Sequence, residues 1–125
     1  MNRVEFILYV EDQKRSARFY AAVLGAEPSL DVPGMTEFPL PGGALLGLMP
    51  RASIERLLPH LSRTPGNHRA GAELYLFVDD VDEWFRRAIG AGATRLSEPA
   101  ERDWQHRAGY VLDPDGYVVS FAREI

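Results

Sequence analysis

The chain has 125 residues, 46% hydrophobic and 26% charged, with 14 basic against 18 acidic side chains, a net charge of -4 and no cysteine. That length makes one ordinary domain able to bury a core without disulfides or structural metal, and the composition lies far from the polar, highly charged range in which chains stay disordered. No stretch gathers Lys and Arg into a face that would neutralise a phosphate backbone, so no nucleic-acid partner is expected, and the chain has no thiolate ligand or cysteine nucleophile.

The opening MNRVEFILYVED lacks the basic head, long apolar run and small-residue cleavage site of a secretory signal. The longest nearly apolar stretch, Leu40 to Pro50, is too short and too rich in Gly and Pro to cross a bilayer. A cytoplasmic protein without a membrane segment is expected. Glu5 to Asp12 reads as a strand, β-branched, aromatic and leucine-rich, ending in acids. A helix follows, with Ser16, Ala17, Phe19, Tyr20, Val23 and Leu24 on one stripe and Gly25 at the left-handed C-cap position. Strand-like segments then lead to a turn at Pro41 and Gly43. Arg51 to Ser62 carries a short helical pattern through Ile54, Leu57, Leu58 and Leu61, broken at Pro59. Arg63 to Gly71 is polar and reads as linker.

The second half repeats the first. Glu73 to Asp80, ELYLFVDD, matches EFILYVED at the Glu, the Leu, the Val and the final Asp. Val81, Trp84, Phe85, Ala88 and Ile89 form the second helical stripe, closed by Gly90 and Gly92. Asp113 to Phe121, DPDGYVVSF, aligns with Leu40 to Leu48, LPGGALLGL, so that Pro114 and Gly116 match Pro41 and Gly43. Asp12 and Asp80 each stand where a carboxylate caps the first free amides of a helix. The order is strand, helix and about three strands, twice over: module 1 at about residues 1–50, a linker at about 51–71 and module 2 at about 72–125 of a single domain.

The strings FILYVEDQKRSARFYAAVLGAEP, VDDVDEWFRRAIGAGA and DPDGYVVSF, taken in that order, resemble the vicinal oxygen chelate superfamily of glyoxalases, extradiol dioxygenases and bleomycin-resistance proteins. The resemblance spans nearly the whole chain. It implies an α+β fold of two βαβββ modules whose mixed sheets curl around a cleft, a small-molecule ligand in that cleft, and homodimers. Metal sites in the family take one ligand from the first and one from the last strand of each module, usually His, Gln or Glu. The corresponding positions here are Glu5, Gly47, Glu73 and Ser120. Glycine offers no ligand and serine only a weak neutral one, so no metal and no other cofactor is expected. His60, His68 and His106 fall outside the expected ligand strands and read as mobile surface histidines.

Strand alternation places Glu5 with Ile7 and Tyr9, and Glu73 with Tyr75 and Phe77. If the modules bring the two carboxylates together across the cleft, mutual repulsion and desolvation raise the apparent pKa of the pair and make one a proton acceptor or a partner of a cationic ligand; ion pairs with arginine or solvated strand ends are the structural alternative. Tyr9, Phe38, Met49, Tyr75, Trp104 and Ser120 complete the candidate ligand-binding set, Trp104 standing out within the polar stretch ERDWQHR. The leading functional reading is a binding protein of the bleomycin-resistance type for an apolar or cationic compound. The alternative is a glyoxalase-like lyase, isomerase or dioxygenase, with Glu5 and Glu73 as catalytic acid-base groups or metal ligands.

Overall fold

Each half of the chain builds the same run of elements. In the computed structural model, which describes residues 1–58 and 72–125, the first half folds as β1 (Glu5–Val10), α1 (Gln13–Leu24), β2 (Leu30–Val32), β3 (Met35–Pro39), a 3-10 turn (Pro41–Gly43), β4 (Leu45–Pro50) and α2 (Arg51–Leu57). The second folds as β5 (Glu73–Phe77), α3 (Val81–Gly90), β6 (Thr94–Glu101), β7 (His106–Leu112) and β8 (Val118–Glu124). The chain divides into two compact units, Met1–Asn67 and His68–Ile125. Their sheets run β1-β4-β3-β2 and β5-β8-β7-β6. In each, the first strand lies parallel to the last and the remaining pairs are antiparallel. This is the expected α+β arrangement of two βαβββ modules.

The hairpin alignment drawn from sequence is also the ladder register. Glu5 pairs with Leu45 and Ile7 with Gly47; in the second unit Glu73 pairs with Val118 and Tyr75 with Ser120. Gly47 and Ser120 therefore hold the same place in two copies of one sheet.

Period-two alternation gives each sheet one helix-covered face and one face turned away from its helix. Val10, Leu46, Leu48 and Phe38 are buried with Phe19, Tyr20 and Val23 of α1. In the second unit, Val111, Val119 and Phe121 are buried with Val81, Phe85 and Ala88 of α3. Burying such side chains is worth about 1.5 to 3 kcal/mol each against leaving them in water. The second sheet is drawn close to its helix at Gly109, where an added Cβ would lie 2.9 Å from both Phe85 Cδ2 and Pro99 Cγ. Arg107, on the same side of β7, ties the helix down with two hydrogen bonds to Asp82, of 2.9 and 2.7 Å.

The element ends follow from local chemistry. Asp12 accepts from Arg15 N–H and Asp80 from Glu83 N–H, satisfying amides that the helices cannot. Gly25 ends α1 at φ 62. α3 differs from expectation: Gly90 is its last residue, Ala91 is the right-handed cap, and only Gly92, at φ 108, adopts the conformation a side chain opposes. In the second hairpin, Asp113 Oδ1 accepts from the Asp115 and Tyr117 amides at 2.8 and 2.9 Å, which fixes the DPDG turn from within. α2 occupies the start of the expected linker; Ile54 is buried while Leu57 and Leu58 are exposed. His60, His68 and the rest of the linker lie outside the described residues. Among the described residues, no helix is long and apolar enough to cross a membrane.

Candidate functional site

The sheet faces turned away from the helices carry most of the residues singled out from sequence. In the first unit, β1 contributes Glu5, Ile7 and Tyr9, and β4 contributes Leu45, Gly47 and Met49, paired in that order. β3 adds Glu37, which pairs with Gly47, and Met35 two residues earlier shares its side. Phe38 is corrected here. It has the opposite parity to Glu37 and is fully buried on the helix side of β3, so it is a core residue and not part of this face.

Gly47 leaves a space, and Glu5 fills it. A Cβ at Gly47 would lie 2.5 Å from Glu5 Oε1, with Ile7 Cγ1 and Met35 Sδ at 3.2 and 3.3 Å. That oxygen is buried and has no hydrogen-bond partner among the described residues. The Glu37 carboxyl neighbours that of Glu5. This contact first, then burial and like-charge repulsion from Glu37, raise the Glu5 pKa above the usual carboxylate range, with Arg3 opposing. Sequence reasoning named Glu5 but missed Glu37. Its parity with Gly47 becomes visible only once the β3–β4 register is known.

In the second unit the equivalent carboxylate is relieved differently. Glu73 Oε2 accepts from the Ser120 hydroxyl at 2.9 Å, so the two expected ligand positions of this module bond to each other. Tyr75 and Phe77 continue the face along β5, and Ser120 pairs with Tyr110 of β7. Tyr110 is held above the ordinary phenol range by burial, then by Tyr75 and Glu73, with Arg102 opposing.

Beside them stands a ring cluster that the sequence only partly foretold. Tyr75, Phe77 and His106 lie with ring centroids 5.2 to 5.9 Å apart. Trp104 Nε1 donates to the Tyr75 hydroxyl at 3.2 Å, and that hydroxyl is 2.8 Å from His106 Nδ1. His106 lies outside the ligand strands β5 and β8, as expected, but it is not a surface group: it opens β7 and is half-buried. Trp104 is presented by a tight turn in which Gln105 N–H reaches Arg102 C=O and Gln105 takes φ 68, a conformation uncommon for a residue with a side chain. Arg102 braces the turn through Ala108 C=O, Glu98 C=O and the Ser97 hydroxyl. Those bonds satisfy carbonyls near the register shifts of the β6–β7 ladder.

A family model for the Glyoxalase/Bleomycin resistance protein/Dioxygenase superfamily matches residues 2–121. The chain belongs to this superfamily. Uncharacterized proteins of Mycobacterium bovis and Mycobacterium tuberculosis H37Rv are each 28% identical to it over 94% of its length, spanning 80% and 72% of their own chains. A superfamily enzyme from Burkholderia phytofirmans PsJN superposes with a TM-score of 0.81 at 25% identity, covering 99% of this chain and 98% of the other. A glyoxalase-related enzyme from Fulvimarina pelagi gives 0.80 at 24% identity, covering 95% and 85%. These structural likenesses establish the fold.

The superfamily's divalent metal makes a demand on the donor set that these residues do not fit. Gly47 supplies no donor, Ser120 spends its proton on Glu73, and Glu5 is turned into the Gly47 space against a second acid. Among the described residues no group of three or more His, Cys, Asp or Glu is arranged to hold a metal ion.

Proposed function

We propose that this superfamily member binds small organic cations with an apolar body, on the sheet faces that carry Glu73 and Glu5, without a tightly held metal. The observation that carries this reading is Glu73. Among the described residues its hydrogen-bond partner is the neutral Ser120 hydroxyl, and it stands on a face whose Phe77 and Trp104 are 62% and 49% exposed. An unneutralised carboxylate beside exposed rings matches a ligand with a positive charge and an apolar surface, since ring faces attract cations and exposed apolar patches mark binding sites. On the first sheet Glu5, Tyr9 and Met49 share a face, where the raised pKa of Glu5 makes it a weaker attractant for a cation.

Calorimetric titration with benzyltrimethylammonium, choline and the neutral choline isostere 3,3-dimethylbutan-1-ol tests the reading. The two cations bind and the isostere does not. Because Glu73 is exposed, Glu73→Gln acts as the loss of a screened pair, weakening binding by about 1 kcal/mol, roughly fivefold. Equal affinity for choline and its isostere, or no binding of either cation, refutes it. Light scattering tests the homodimer expected of the family.

One observation favours the enzymatic alternative. A carboxyl with a raised pKa and a buried, unpartnered oxygen suits a general acid or base, and Glu5 has both. Turnover of a hemithioacetal that is abolished by Glu5→Gln and insensitive to chelator would establish a metal-free lyase or isomerase in place of a binding protein.

A further inference from the structure

The hydrogen bonds of the ring cluster limit where its protons can sit. An indole N–H only donates, so Tyr75 Oη accepts from Trp104. The phenol has one proton to give, and His106 Nδ1, 2.8 Å away, accepts it in the tautomer that leaves Nδ1 bare. In that tautomer the chain runs Trp104 to Tyr75 to His106. A protonated imidazole carries N–H on both nitrogens and accepts nothing. The Tyr75 proton is then expelled from the bond, and the phenol oxygen has to receive from two sides. The same event places a positive charge 5.9 and 5.2 Å, centroid to centroid, from the Tyr75 and Phe77 rings.

We propose that His106 decides whether this face accepts a cation: neutral, it anchors Tyr75 and through it holds Trp104 on the sheet; protonated, it becomes the cation of the ring cluster and shuts a charged ligand out. The inference rests on the reading above that the face takes organic cations, and adds to it the residue that controls occupation. Histidine is the side chain suited to a change of charge near neutral pH. The surrounding charges are few. Tyr75 and, two residues away, Glu73 face the cluster from β5, and Tyr110 faces it from β7 itself. Glu124 pairs with His106 across β8. Arg107 is engaged by Asp82 on the opposite side of the sheet, Arg102 is turned to Ala108 C=O and the β6 bulge, Glu101 pairs with Arg107 in the ladder, and Arg123 alternates away from Glu124. Asp103 is exposed in the turn beside Trp104. A bound cation and a proton on His106 compete.

Two measurements on the full chain test this. In the first, the indole N–H resonance of Trp104, assigned with Trp104→Phe, is followed by nitrogen-correlated NMR from pH 8 to 5.5, alongside the His106 ring signals. The Trp104 signal moves with the His106 midpoint in wild type, and in Tyr75→Phe it no longer follows although His106 still titrates. A flat Trp104 signal in wild type, or tracking that survives Tyr75→Phe, overturns the hydrogen-bonded control. In the second, the affinity for benzyltrimethylammonium falls about tenfold between pH 8 and 5.5 in wild type, the size of effect one added charge has at this range in a partly screened site. In His106→Asn the fall is less than about twofold. An equal fall in both proteins overturns control by His106 while leaving cation binding standing. Absence of binding in wild type at every pH overturns the cation reading itself and, with it, the exclusion of ligand by charge.

Discussion

The carboxyl of Glu5 occupies the space that Gly47 leaves by having no side chain. Glycine is required there for what its neighbour does, since Gly47 lies in an ordinary extended strand, without a positive φ. The atom crowding the position is the free end of a flexible side chain, with Ile7 and Met35 standing further off at 3.2 and 3.3 Å.

Gly47→Ala should thus be mild for stability and severe for Glu5. The added methyl drives the carboxyl outward, and the accommodation by Ile7 and Met35 costs about 1 kcal/mol, the low end for overpacking. Carboxyl-carbon NMR should show the Glu5 titration returning toward the ordinary value near 4.5. A Glu5 titration unchanged from wild type would show that the Gly47 space has no part in raising it.

The raised Glu5 pKa also sets a direction for stability against pH. Between the ordinary carboxylate value and the raised folded value, the native chain holds a proton that the unfolded chain has released. Stability from this group is therefore greatest at acid pH and falls as pH rises through the folded pKa. Glu5→Gln removes the titration. Its melting temperature should exceed that of wild type at pH 7 to 8, with the difference closing toward pH 4. A variant less stable than wild type at neutral pH would mean that the ionised carboxylate is stabilising in the fold.

Metal content follows from the same donor set. Protein purified without chelator should contain far less than one equivalent of zinc, nickel, iron or manganese, and dialysis against EDTA should leave the melting temperature unchanged. One equivalent of metal, lost on Glu5→Ala or Glu73→Ala, would restore the family's usual chemistry to this chain.

Gly109 is held between Phe85 and Pro99, with two side-chain atoms at 2.9 Å from any added Cβ. Both belong to stiff rings that cannot swing aside. Gly109→Ala should lose about 1 to 3 kcal/mol in denaturant titration. The relieving double variant Gly109→Ala with Phe85→Leu should regain part of that loss; a neutral Gly109→Ala would mean that α3 stands further from β7 than described.

How much of this was legible beforehand depends on the range of the interactions involved. The capping of the two helices by Asp12 and Asp80 involves atoms three residues apart, and Gly25 reports on a single dihedral, so a linear reading reaches them. The duplicated hairpin placed Gly47 and Ser120 correctly because a turn fixes the register of the strands beside it. Phe38 was misassigned because the parity of β3 is set by its pairing with β4, which no local pattern discloses. Glu37 was missed for the same reason. His106 was undervalued because its partners, Tyr75 and Phe77, lie 31 and 29 residues away on another strand of the sheet. Histidine in a polar stretch carries no mark of a hydroxyl waiting for it.

Because Ile7 faces Gly47 as Tyr75 faces Ser120, the chain holds its own internal control. One backbone position has been solved twice, by a hydroxyl that gives Glu73 a proton to lean on and by an empty place that leaves Glu5 to bargain with another acid. Exchanging the two residues, Gly47→Ser with Ser120→Gly, would transplant each solution into the other setting.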